Sequence, residues 1–345
     1  MRAAAALLAA LLLLPAPARA KRALTPPAPD FPLDAVWFNA KPLTLERLHD
    51  RRVLLVAFFN TANINSMRVL PMLKAWHQHY ELGGLMVVGV HTPEYEFQKN
   101  PKLVHSELKR LGIRFPVMLD DERRYWRALN NEGWPAFYLI DDKGLIAYDH
   151  LGEGGYRELE DEMRVALEEA GYKLPGAVAK PAAASAENCG GMSREVNLGK
   201  SGARTTSLEH AALTMTHDGD TVSAGQWSAE PAALRLAQKN DDRAAFLRLS
   251  YHGTQAFALL GPPPAGPGLF YVRQDNMWLH AGNAGKSIVF DDDGRSYLSV
   301  SAPEIYHLTQ NPDDSTHALV VMPVKAGSAV YGFSFSDRCL HVDLP

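Results

Sequence analysis

Catalysis needs nucleophiles, acids, bases or metal ligands within reach of one another, and this sequence offers few. It holds two cysteines, Cys189 and Cys339, at a separation that fits no metal or redox motif. In an oxidising compartment two lone cysteines most often form one structural disulfide. Two free thiols are the other reading, since pairing cannot be deduced from sequence. His77 and His79 resemble metal ligands, but residues two apart on a helix point to different sides. They read as a polar helix edge. Asp291-Asp292-Asp293-Gly294 lacks the ligand spacing of a calcium loop and reads as a hairpin turn, with a calcium-binding corner as the alternative. No metal and no cofactor is expected. The aromatics Trp227, Tyr271, Trp278, Tyr297, Tyr306, Tyr331 and Phe333 are spread over one region. Core packing accounts for most of them. Two or three exposed in a row would instead make a sugar or peptide platform.

The elements that must position such groups fall into two textures. From 31 to about 172, short apolar runs alternate with amphipathic stretches, the pattern of an α/β layer fold. The run 53–60 (VLLVAFFN) reads as a strand buried on both faces. Leu70, Leu73, Trp76 and Tyr80 then recur at helical spacing. A second buried strand follows at 85–90, a helix at 103–111, a short strand at 116–119, a helix at 122–129 and a strand at 136–140. Asp141 to Gly144 turns the chain into a strand at 145–150, and 156–170 closes the unit as a helix ended by Gly171. Residues 173–190 form a Pro/Ala-rich linker. From 191 to 345, short alternating runs separated by Asp-Gly turns point to an antiparallel β-sandwich.

The first 20 residues read as a secretory signal peptide. Arg2 supplies the positive start, 3–14 the apolar run, and Ala18-Arg19-Ala20 the cleavage site. The run is shorter than the roughly 20 residues a membrane-spanning helix needs. An uncleaved anchor is the alternative. The expected product is exported, periplasmic or secreted, with no transmembrane segment once the leader is removed. The formal net charge is −4, and loss of Arg2 and Arg19 takes it to −6. Without a Lys/Arg block, nucleic acid is not an expected partner. The acidic balance also argues against an anionic membrane surface.

Residues 36–167 resemble the thioredoxin superfamily, specifically its exported TlpA-like and DipZ-like branch of thiol–disulfide oxidoreductases. The motifs carrying this are LKAWHQHY at 73–80, GVHTPEYEF at 89–97, RLGIRFPVMLD at 110–120, WPAFYLID at 134–141 and GEGGY at 152–156. The C-terminal part looks like the β-sandwich of DipZ-type proteins, through YVRQDNMWLHAG and DDDGRSYLSVSAPEIYHL. The resemblance implies an α/β thioredoxin fold followed by an all-β sandwich domain.

In this family a buried strand leads into Cys-x-x-Cys at a helix start, where free N–H groups and partial positive charge stabilise a thiolate. The second cysteine resolves the mixed disulfide. Here the two cysteine positions hold Asn63 and Ser66, in the run Asn63-Ile64-Asn65-Ser66. Ala57 stands where many relatives carry a buried acid. Pro71 falls where the family kinks the helix, and Trp134-Pro135 matches its cis-proline element, with Pro135 simply starting an edge of the strand as the alternative. Classical dithiol exchange is therefore not expected, and no catalytic residue is. Ser66 and His91 as a nucleophile–base pair lack an identifiable orienting acid.

Three functions stay open. The first is a non-redox binding or chaperone-like module for an exported protein or peptide, using a groove beside Asn63, Asn65, Ser66, His91, Trp134 and Pro135. The second is an oxidoreductase working through Cys189 and Cys339. The third is a structural scaffold. An open groove around Asn63, Ser66, His91 and Pro135 favours binding there, and a groove capped by the second domain favours the scaffold.

Overall fold

The computed structural model describes residues 26–48, 52–174, 176–177, 194–201, 204–205 and 217–336. Residues 1–20, read above as a signal peptide, and both cysteines, Cys189 and Cys339, lie outside the described residues.

The first domain runs β1 (Val36–Phe38), α1 (Leu45–Leu48), β2 (Val53–Phe59), α2 (Ile64–Tyr80), β3 (Leu85–His91), α3 (Pro101–Arg110), β4 (Val117–Leu119), α4 (Arg124–Ala128), β5 (Ala136–Ile140), β6 (Ile146–Leu151) and α5 (Tyr156–Glu169). Its sheet has the order β1-β4-β3-β2-β5-β6, parallel from β2 to β4 and antiparallel at β5 and β6. This is the thioredoxin-like arrangement. β2 is buried at every position because both sheet faces are covered. Val53, Leu55, Ala57 and Phe59 point into one core with Leu73, Trp76 and Tyr80 of α2. Leu54, Val56 and Phe58 point into the other with Tyr125 and Trp126. Strand alternation on a doubly covered sheet gives this division.

Two helix starts differ from the sequence reading. α3 begins at Pro101, two residues earlier, because Asn100 caps it by accepting from Lys102 N at 3.0 Å and Pro101 suits a first turn. α4 begins later, at Arg124. The Asp120 carboxylate takes the N–H groups of Tyr125 and Trp126 at 3.1 and 2.9 Å, and Arg123 sits in the left-handed region at φ 56°.

The second domain comprises β7 (Arg194–Asn197), α6 (Leu198–Ser201), β8 (Arg204–Thr205), β9 (Thr221–Ala224), β10 (Trp227–Ala229), β11 (Leu234–Leu236), β12 (Phe246–His252), β13 (Gln255–Gly261), β14 (Gly268–Gln274), β15 (Met277–Trp278), β16 (Val289–Phe290), β17 (Ser296–Val300), β18 (Glu304–Gln310), β19 (Thr316–Pro323) and β20 (Ala329–Ser336). They form two sheets. One runs β10-β11-β20-β13-β18, with β7 added on β20; the other runs β16-β17-β14-β19-β12-β9-β8, with β15 on β14. All pairings are antiparallel except β8 with β9. Asp291 Oδ1 accepts from the N–H groups of Asp293 and Arg295, which makes the expected turn between β16 and β17.

β13 is buried at every position. Its Ala256, Ala258 and Leu260 face the sandwich core. Phe257 and Leu259 instead join Ile305, Ala329 and Tyr331 in the core of the first domain. The six-stranded sheet is thus covered by its sister sheet on one side and by the thioredoxin-like domain on the other. Tyr331 packs 5.4 Å from Tyr95 and 5.1 Å from Phe97 between ring centres. Truncating Tyr331 to alanine is expected to cost about 3 kcal/mol, by analogy with other buried aromatics. Urea unfolding of the full chain reads this. A cost below about 1 kcal/mol would mean that the ring is not part of the shared core.

Candidate functional site

β2 delivers the chain to the N-terminus of α2 through a short polar turn. Asn60 organises it: its Oδ1 accepts from Ala62 N at 2.8 Å and from Gln98 Nε2, while its Nδ2 donates to Thr92 O at 3.4 Å. Gln98 Oε1 accepts from the N–H groups of Glu94 and Tyr95. Asn63 then caps α2, with Oδ1 accepting from Ser66 N at 2.8 Å. Asparagine is among the best capping residues because its oxygen satisfies an otherwise orphaned helix N–H. Its free amide is also engaged. Asn63 Nδ2 donates to Glu195 Oε1 at 2.8 Å, and Glu195 lies on β7 of the second domain.

The same side of the second domain makes further contacts. Arg68 lies two residues beyond Ser66 on α2, and its side chain is 1% exposed. Its Nη2 donates to Ser336 Oγ at 2.6 Å and its Nη1 reaches Glu153 Oε1 at 3.5 Å. Burial pulls the Arg68 guanidinium below its ordinary range, and Glu153 opposes that. Burial likewise raises the Glu153 carboxyl, with Arg68 lowering it. Tyr95 OH donates to Asn197 Oδ1 at 2.7 Å, and Arg110 Nε meets Glu304 Oε2 at 3.1 Å.

These contacts fix the state of the residues singled out in the sequence. Asn63 and Asn65 are buried, and Ser66 is 0% exposed, its Oγ without a hydrogen-bond partner among the described residues. His91 is also fully buried at the end of β3, its Nε2 3.3 Å from Thr61 Oγ1. Ser66 and His91 are not hydrogen-bonded to each other, so the structure does not assemble a nucleophile–base pair. The face beside Asn63 and Ser66 is not an open groove but is capped by the second domain of the same chain, the arrangement that favours a scaffold. Pro135 is buried behind a cis Trp134-Pro135 bond, in keeping with the resemblance. Trp134 remains partly exposed in a stack with Trp126, 4.7 Å away, and with Arg123, whose Cζ lies 5.0 Å from the Trp134 ring centre. Ala57 packs in the apolar core, opposite Gly89 and Phe137 on the flanking strands.

His77 contacts the Phe115 ring and lies 3.9 Å from Glu81, whereas His79 Nε2 meets Gly176 O. The two histidines face different surroundings. Among the described residues no cluster of three His, Cys, Asp or Glu side chains could hold a metal. No described helix is long and apolar enough to cross a membrane.

The sequence reading missed Glu195, Ser336, Glu153 and Tyr95 as members of the site. Only Glu153 and Tyr95 carried a signal, since both fall in quoted motifs. Glu195 and Ser336 are brought in by domain docking, which leaves no local mark.

Protein DipZ of Mycobacterium bovis is 32% identical over 326 residues, covering 89% of this chain and 42% of that protein. The chain therefore spans about two fifths of the length of that relative. Thiol-disulfide oxidoreductase YkuV of Bacillus subtilis is 25% identical over 146 residues, 42% of this chain and 97% of that one. Among solved structures, that of a thioredoxin-like protein in its oxidized form is similar over 42% of this chain and 97% of its own, with 25% identity and a TM-score of 0.39. No protein-family model matches the chain.

The burial of His91 has a measurable consequence. Desolvation lowers its pKa from 6.5 to about 4. As pH falls below 6.5 the unfolded chain takes up this proton while the folded chain does not, so folding stability drops between 6.5 and about 4. The full effect is about 3 kcal/mol. The His91 Hε1 resonance is expected to stay at its neutral position at pH 5.5, and His91→Asn to flatten the acid limb of the stability curve. Titration of that resonance near pH 6.5 would contradict the buried geometry.

Proposed function

Since the chain belongs among the thioredoxin-like proteins related to DipZ and the thiol–disulfide oxidoreductases, we propose that it is an exported, non-redox binding protein whose ancestral reactive face is closed by its own second domain. One observation carries this reading: Asn63, at the position of the attacking cysteine, caps α2 with one end of its amide and binds Glu195 of β7 with the other. The helix N–H that would stabilise a thiolate is taken by a neutral oxygen. The resolving position, Ser66, is sealed from solvent. Asparagine is no nucleophile, and a serine hydroxyl needs a base that His91 does not provide here.

On this reading Asn63 still serves a binding surface, but the ligand is a strand of the same chain. An exported protein or peptide then binds elsewhere, with the Trp134 stack as the accessible flank of the old face. The scaffold reading draws on the same closure, because a shared core makes the two domains one body. In the oxidoreductase reading Cys189 and Cys339 would carry the chemistry, and both lie outside the described residues.

Insulin reduction in the presence of dithiothreitol separates the oxidoreductase reading from the other two. The purified protein is expected to give the rate of dithiothreitol alone. Clear catalysis that disappears in Cys189→Ser or Cys339→Ser would overturn the non-redox reading. A second test addresses closure. Restoring the motif with Asn63→Cys and Ser66→Cys together is expected to leave insulin reduction near background, because the attacking position, 63, is buried against β7 and a protein disulfide cannot reach it. Vigorous turnover by that variant would show that the face opens readily.

A further inference from the structure

The sheet of the first domain ends at β6, which pairs with β5 on one side only. Gly152 N donates to Pro135 O, so Ala136 and Leu151 are a pair whose own N–H and C=O groups point apart. By strand alternation Asp149 and Leu151 turn these groups toward the free edge. The start of that edge is already taken. Ile146 N donates to Pro26 O and Ala28 N to Gly144 O, both at 2.9 Å, with Pro27 opposite Leu145. The pairing is antiparallel, and its direction leads from Pro26 along β6 toward Leu151. Pro26 lacks an N–H and costs the pairing one bond, which a sheet edge tolerates.

Beside this edge lies a groove of about 670 Å³, lined by Pro26, Glu132, Ala136, Tyr138, Asp149 and Leu151 among others. Tyr138 lies opposite Asp149 and Ala136 opposite Leu151, so these four side chains share one face of the sheet. Leu151 is 53% exposed there. Burial, and then the charges of Asp149 and Glu132, push the Tyr138 hydroxyl up to about 12. Among the described residues neither of these carboxylates has a hydrogen bond or an ion pair. The groove thus combines an unpaired strand edge, apolar surface and two negative charges that nothing balances.

We propose that the chain's own residues 21–25, which lie outside the described residues, dock on this edge as a further antiparallel strand. Continuity selects them, because they directly precede the pairing already formed at Pro26. Length agrees. β6 continues five residues past Ile146, to Leu151, and five residues separate Pro26 from Ala20, where the leader is expected to end. Charge agrees as well, since the segment is Lys21-Arg22-Ala23-Leu24-Thr25. Alternation puts Leu24 and Arg22 on the face of Pro26, which lines the groove. Leu24 would then cover Tyr138, and Arg22 would meet Asp149 and Glu132. A second copy paired edge to edge would instead bring the same carboxylates together. Covering the edge also removes a template for unwanted strand pairing. The inference goes beyond the proposed function and does not depend on it; it assigns this edge to the chain itself rather than to a visiting peptide.

Amide hydrogen exchange on the full chain tests it, read at Asp149 and Leu151. Both amides are expected to exchange slowly. Arg22→Glu with Leu24→Asp should speed them about tenfold or more, while Arg22→Lys with Leu24→Ile should keep the protection. Unchanged exchange in the buried strand β2 would establish that both variants fold. Fast exchange at the two amides of the unaltered chain, or equal protection in the charge-reversed variant, overturns the proposal. Protection that grows with protein concentration also overturns it and assigns the edge to a second copy. Insulin reduction by the unaltered protein would sink the preceding reading but leave this exchange measurement to be decided on its own result.

Discussion

A sheet with apolar side chains on both faces has to be covered twice, and the six-stranded sheet of the second domain is such a sheet. Ala256, Ala258 and Leu260 of β13 are satisfied by the sister sheet, but Phe257 and Leu259, with Ile305 and Tyr331 beside them, point the other way. Left in water they would form a contiguous apolar patch. Burying each large side chain is worth about 1.5–3 kcal/mol. The polar contacts across the same boundary contribute about 1 kcal/mol each. Apolar burial therefore holds the domains together, and the polar pairs fix their register. Asn63 with Glu195 and Tyr95 with Asn197 behave as guides on an interface driven by Tyr331, Phe257 and their neighbours.

That ordering of magnitudes explains what happens to the helix start. A helix N-terminus with open N–H groups stabilises an anion, and a reactive thiolate there needs access to its substrate. Once a neighbouring domain covers the position, access is lost and a buried anion would be costly. An asparagine cap suits the closed environment: it satisfies the N–H of Ser66 without carrying charge and offers its NH2 to the incoming strand. Arg68 carries the electrostatic risk. Its buried guanidinium depends on Glu153 and on Ser336, so the closed arrangement must hold both at once. Removing one partner of a buried ion pair typically costs about 3–5 kcal/mol, which makes this corner specific as well as tight.

The sequence made the first domain readable because its signals are local. A doubly buried strand, a helix with Leu73, Trp76 and Tyr80 on one face, and the Trp134-Pro135 element all mark themselves. The starts of α3 and α4 differ from the apolar periodicity for equally local reasons: Asn100-Pro101 caps α3 ahead of its first apolar position, and the Asp120 carboxylate caps α4 from outside the helix. The identities at positions 57, 63 and 66 are plain, as is the burial of 57 within a doubly covered strand, but the burial of 63 and 66 is not. That burial comes from Glu195 and Ser336, which lie more than a hundred residues away and meet α2 and its cap only through tertiary docking. A faint clue lay in β13, whose run AFALLG is too continuously apolar for a sandwich strand with one wet face.

A substrate that visits a thioredoxin-like face from solution must compete with anything tethered beside it. A segment on the same chain acts at an effective concentration of order millimolar for short flexible tethers. Here the competitor also carries a hydrophobic core of its own, so a transient peptide has little prospect of displacing β7. On the proposed reading, loss of the cysteines and capture of the face by β7 are two views of one constraint. A nucleophile is useful only where substrates can arrive, and an interface is stable only where nothing reactive or charged is left without a partner. The covered position satisfies the second condition through Asn63 and gives up the first.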